Sequence, residues 1–90
     1  MRQEFVIDLK GATDADAIQD ALVANLPLPS DYGRNLDAFY DVLTEYGADW
    51  RIVFRNAGRA ATSLRAVCRD AVAETSGLEV VFERRRRKQP

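Results

Sequence analysis

Apolar residues along this chain change their spacing repeatedly, and each change marks an element. Phe5, Val6, Ile7 and Leu9 form a short run closed by Lys10-Gly11, the pattern of a strand. Spacing of three and four follows at Ala15, Ile18, Ala21 and Leu22. Asp14 and Asp16 sit where a helix N-terminus favours negative charge and Pro27 lies beyond the run, which predicts a helix over 14–25. Leu26-Pro27-Leu28-Pro29-Ser30-Asp31-Tyr32-Gly33 has no period. Its prolines fix backbone angles and predict a stiff loop in which Gly33 supplies a positive φ before the next helix. Asn35 is placed to cap that helix. Leu36, Phe39, Tyr40 and Leu43 give an i, i+3, i+4, i+7 stripe and Gly47 a stop, so the helix is expected over 36–46.

Trp50-Arg51-Ile52-Val53-Phe54 reads as a second strand. A crossover of roughly forty residues separates it from the first, too long for a hairpin, and favours parallel pairing. Helical spacing returns at Ala60, Leu64, Val67, Cys68, Ala71 and Val72, runs to Thr75 and stops at Gly77; Leu78-Glu79-Val80-Val81-Phe82 is the third strand. The order strand, helix, helix, strand, helix, strand predicts an α/β domain with a three-stranded, all-parallel sheet. No internal repeat is visible.

Ninety residues, 47% of them hydrophobic, support one globular domain. No apolar stretch approaches the ~20 residues of a membrane span. The acidic N-terminal segment lacks the apolar run of a signal peptide, and a single cysteine, Cys68, excludes an internal disulfide; both lead to the expectation of a cytoplasmic protein. The absence of histidine excludes Ser-His and Cys-His nucleophile pairs. Without histidine or a CxxC pair no zinc site is expected, and without a glycine-rich phosphate motif no nucleotide cofactor. Cys68 lies in the apolar stripe of the last helix, and Trp50 opens a strand; both read as core residues.

Net charge is −1, an average of two unlike parts. Residues 1–83 carry 8 basic and 14 acidic groups, whereas Arg84-Arg85-Arg86-Arg87-Lys88-Gln89-Pro90 carries five positive charges. The expected organisation is a folded body over 1–83 and a basic, unstructured tail over 84–90. Such a tail offers nonspecific phosphate contact, so an RNA-associated module acting through it is the alternative functional reading. The acidic body opposes nucleic acid elsewhere.

Within the body, Asp37, Asp41 and Glu45 fall at i, i+4 and i+8 on the second helix. Like charges at this spacing cost roughly 0.2–0.5 kcal/mol per pair, and Arg34 is the cation placed to relieve them. A solvated face, a weak Mg²⁺ site and a carboxylate pair for acid–base catalysis are all compatible with the stripe. Catalysis needs one carboxyl kept protonated by burial, which a polar stripe does not provide. Tyr32, Tyr40 and Tyr46 border the same acids, and aromatic area beside charged anchors is the composition of a recognition surface.

The segment Leu26-Pro27-Leu28-Pro29-Ser30-Asp31-Tyr32-Gly33-Arg34-Asn35-Leu36-Asp37-Ala38-Phe39-Tyr40-Asp41-Val42-Leu43-Thr44 resembles the signature of the barstar family, cytoplasmic inhibitors of the secreted ribonuclease barnase. The order of elements extends the resemblance over 3–83, with the arginine tail outside it. The resemblance implies a small three-stranded parallel sheet packed with three to four helices, its first strand central. It implies no enzyme activity and a partner that is a small basic ribonuclease. Asp41 would be the main acidic anchor, supported by Asp37; Glu45 joins the expected partner-binding residues as the third acid of the stripe. Tyr32, Gly33 and Asn35 would shape the flanking loop, Tyr40 and Tyr46 would supply the aromatics, and Asp70 on the last helix would be a peripheral acid. Asp31 stands where the family has a contacting tyrosine, and Tyr40 replaces a tryptophan. The shorter stretch after the second strand predicts that the family's short third helix is reduced to a turn.

Overall fold

The structure, a computed structural model, describes residues 2–83; the basic segment lies outside the described residues. Strand β1 spans Gln3–Asp8, helix α1 Ala15–Asn25, helix α2 Leu36–Tyr46, strand β2 Trp50–Arg55, helix α3 Ala61–Glu74 and strand β3 Glu79–Phe82. One 3₁₀ turn, Gly47–Asp49, joins α2 to β2. The segment between β2 and α3 is a turn, as its length required.

The sheet is parallel throughout, but its order is β1-β2-β3. The expectation of a central first strand is overturned: β2 pairs with β1 on one side, Gln3 opposite Trp50, and with β3 on the other, Arg51 opposite Glu79. The difference lies in burial and not in composition, since each strand carries an apolar run: on the outward row Val53 is flanked by Val6 and Val81 and is 5% exposed, whereas Val6 on the edge strand is 46% exposed.

The helices cover one face of the sheet. Ile7, Trp50, Ile52 and Phe54 point into a core shared with Ile18 and Leu22 of α1, Phe39, Val42 and Leu43 of α2, and Leu64, Cys68 and Ala71 of α3. Phe5 meets Trp50 edge-on at 5.3 Å and Phe54 stacks on Phe82 at 4.8 Å, so aromatic contacts tie all three strands. The opposite face carries three rows set by the register. Glu4, Arg51 and Glu79 form one, Val6, Val53 and Val81 the next, and Asp8 and Arg55 the third. Arg51 bridges Glu4 and Glu79, and Arg55 Nε reaches Glu83 at 2.9 Å. Each pair is half-exposed and contributes on the order of 0.2–1 kcal/mol. Between them Val53 is buried, although it lies outside the main core.

Tight corners join the elements. Asp8 accepts from the Lys10 N–H and from Asn56 Nδ2, and Lys10 and Asn56 both take left-handed backbone angles there. The Asn56 bond, followed by that from Lys10, lowers the Asp8 pKa below its ordinary value. Gly58 packs so closely on Gly11 and Ala12 that a Cβ would lie 2.6 Å from the Ala12 carbonyl oxygen. Gly77 ends the α3–β3 turn at φ +95°, where a Cβ would lie 2.2 Å from the Ala48 carbonyl oxygen. Replacing Gly77 by Ala is expected to cost about 2–3 kcal/mol through left-handed strain and that overlap, read as a lower urea midpoint with an unchanged m-value.

Cys68, 2% exposed, is a core residue, and desolvation pushes its thiol from 9.0 up to about 12. A raised acid pKa favours the folded, protonated form, so this group's contribution to stability falls as pH rises from its unfolded value toward the folded one. Thiol labelling at pH 8 is expected to be slow in the native protein and fast in denaturant; equal rates would show that the cysteine is accessible.

Candidate functional site

The site begins where α1 ends. Leu26 caps α1, donating its N–H to the Leu22 carbonyl, and the Tyr32 N–H closes a turn on the Pro29 carbonyl at 3.0 Å. The prolines thus bend the chain back beside α1. The positive φ expected of Gly33 is instead taken by Arg34, at 55°. Arg34 also fails to relieve the α2 acids, because its guanidinium pairs at 2.7 Å with Asp20 of α1. A left-handed corner turns that side chain away from the helix it precedes.

Asn35 then starts α2. Its Oδ1 accepts from the Ala38 N–H at 2.8 Å and its Nδ2 donates to the Gly33 carbonyl at 3.2 Å. Asp14 caps α1 in the same manner through the Ala17 N–H. With its register fixed, α2 buries Phe39, Val42 and Leu43 and exposes Asp37, Asp41 and Glu45. None of these three acids, nor Asp31 or Asp70, has an ion-pair partner among the described residues.

A groove of about 270 Å³ lies between the loop and α2, lined by Pro29, Asp31, Tyr32, Gly33, Ala38, Asp41, Val42, Glu45 and Tyr46. Five of the expected site residues therefore meet at one depression: Tyr32, Gly33, Asp41, Glu45 and Tyr46. Asp37 is exposed on the same helix but does not line the groove. Asn35 acts through the cap, Tyr40 is half-buried against the core, and Asp70 stands apart on α3. Asp31 joins Asp41 and Glu45 at the groove, so the position that departs from the family pattern adds a carboxylate to the site.

Tyr32 is held from behind. Its hydroxyl donates to Oε1 of the buried Gln19 at 2.6 Å. Burial raises the Tyr32 pKa above its ordinary value. Gln19 was not legible as a site residue, since a polar side chain inside a helix pattern carries no signal of the phenol it will meet. No metal-binding group of three or more His, Cys, Asp or Glu occurs among the described residues, and no helix there is long and apolar enough to cross a membrane.

A parallel sheet covered on one side, flanked by a proline-stiffened loop and a helix whose acids have no ion-pair partner among the described residues, defines a small α/β domain with one acidic flank. Residues 2–87 match the family of Barstar (barnase inhibitor), and the chain belongs to that family. The matched span passes the boundary drawn at residue 83 and takes in Arg84 to Arg87. A search of curated proteins finds no match.

Tyr32→Phe is expected to lower stability by about 1–3 kcal/mol, because it leaves a buried Gln19 acceptor without its donor. Chemical denaturation checks this; a change within a few tenths of a kcal/mol would mean that the bond does not anchor the loop.

Proposed function

We propose that this protein inhibits a small basic ribonuclease by laying α2 and its flanking loop over the enzyme's active site. The observation that carries this reading is the groove in which Asp31, Asp41 and Glu45 meet Tyr32 and Tyr46 on a face where, among the described residues, no cation pairs with the acids. Family membership supports it, since the family is described as barnase inhibitors. A ribonuclease binds a polyanion and so carries a cationic cleft. Carboxylates held on a rigid helix can occupy its phosphate positions while offering no bond to cleave.

Asp41 is the central anchor, flanked by both tyrosines at the groove. Asp37 supports it from the preceding turn, and Glu45 and Asp70 are peripheral. Fixing the acids before contact lowers the ordering cost of binding, and opposite fields speed encounter at low salt. The proposed setting is the cytoplasm of the cell that must be protected from the nuclease.

Titration of the protein into an assay of a barnase-type ribonuclease tests the proposal. Stoichiometric loss of activity is expected, with association slowing as salt rises. Asp41→Ala is expected to weaken inhibition by at least about 2 kcal/mol, roughly thirtyfold in Kd. Asp70→Ala at the periphery is expected to change it by less than about fivefold. Full inhibition by the Asp41 variant would refute the assignment of the anchor.

A further inference from the structure

We propose that the groove between α3 and the open edge of β3 binds an extended segment of a partner protein, added as a further strand, with an apolar and an acidic side chain at alternate positions. Arg65, Cys68, Arg69 and Val72 of α3 line the groove on one side and Val80 and Phe82 of β3 on the other. Its volume is about 270 Å³, and it shares no residue with the groove beside α2.

Two periods build this surface. On α3 the lining residues fall at i, i+3, i+4 and i+7, one face of the helix. On β3 the backbone alternates. The Glu83 N–H donates to the Phe54 carbonyl at 2.9 Å, so in a parallel ladder Val81 and Glu79 also turn their backbone groups toward β2. Val80 and Phe82 therefore direct N–H and C=O away from β2, to an edge with no strand beside it among the described residues. Their side chains share the rows of Ile52 and Phe54 on the helix-covered face, which places them in the groove. The residues with open backbone groups are thus the residues whose side chains line the groove. Strand addition uses that combination, since main-chain bonds supply affinity and alternate side chains supply selectivity.

Apolar surface and charge divide along the groove. Arg65 Cζ lies 4.6 Å from the centroid of the Phe82 ring, which marks the cationic end. Val72, two turns further along α3 and 38% exposed, forms the apolar end with Val80. Arg65 and Arg69 have no ion-pair partner among the described residues, and the α3 acids Asp70 and Glu74 do not line the groove. The chain also runs from β3 directly into Arg84-Arg85-Arg86-Arg87. An occupant must therefore bring negative charge to the Phe82 end. A second copy pairing β3 with β3 would set the same arginines against each other, because a two-fold contact repeats one surface on both sides. An RNA strand would leave the apolar end and the strand edge unmatched.

The test titrates the ¹⁵N-labelled full chain with a capped octapeptide that alternates threonine and valine, one central valine being replaced by aspartate. The same peptide with lysine for aspartate, and one with a central proline, which removes a backbone donor, serve as controls. Saturable shifts and slowed hydrogen exchange at the Val80 and Phe82 amides are expected with the aspartate peptide, about tenfold weaker binding with the lysine peptide, and none with the proline peptide. Arg69 is exposed, so Arg69→Glu is expected to leave the thermal midpoint unchanged and to reverse the preference, the lysine peptide then binding more tightly. The absence of saturable shifts, equal binding of the proline peptide, or an unchanged preference in Arg69→Glu would overturn the proposal. The same shifts produced by decauridylate would assign the surface to RNA instead. Protection of Val80 and Phe82 that rises with protein concentration in the absence of peptide would assign the edge to a second copy.

Discussion

Asn35 holds both sides of the junction between loop and helix, accepting from Ala38 ahead of it and donating to Gly33 behind it. Successive helical residues are rotated by about 100°, so a start displaced by one residue would turn every α2 side chain through that angle. Phe39, Val42 and Leu43 would leave the core and the acidic stripe would rotate off the surface. The loop before the cap is fixed to α1 at two points, Arg34 to Asp20 and Tyr32 to Gln19. Arg34 adopts its left-handed conformation at a cost of order 1 kcal/mol, and these ties persist around it. The direction in which Asp41 points is thus settled by contacts that Asp41 does not make.

Local chemistry was the most legible part of the fold. The limits of α2 at Leu36 and Tyr46 and the role of Asn35 follow from a cap, an apolar stripe and a glycine stop, all within reach of a few residues. Parallel pairing was legible from crossover length. Strand order was not, because period-two alternation reports which face a residue occupies and is silent about which strand lies beside it. The outward row carried no signal either, since Val6, Val53 and Val81 are the same residue type and only their burial separates the central strand from its neighbours. The site divides in the same way. Asp41, Glu45 and Tyr46 were legible from helical spacing, whereas the destination of Arg34 depends on one left-handed residue and the value of Gln19 on a phenol thirteen positions away.

The acids of this body serve two different ends. Those on the sheet, Glu4, Glu79 and Glu83, are matched to Arg51, Arg2 and Arg55, and Asp8 is spent on a corner. Those on and beside α2 carry no such partners among the described residues. Exposed like charges reduce the stability of a helix, so α2 relies on its buried face and its cap, not on its surface, to remain helical. The same separation explains how the small domain carries an acidic excess without burying any of it.

The matched rows around Val53 have an effect beyond the sheet. A face whose positive and negative groups alternate at short range is nearly silent beyond the spacing of its own pairs, whereas the carboxylates of α2 are felt out to about a Debye length. The body therefore behaves toward distant charge as a vector with one pole. Placed in the field of a cationic surface, it experiences a torque before any contact is made, and that torque turns α2 to the front.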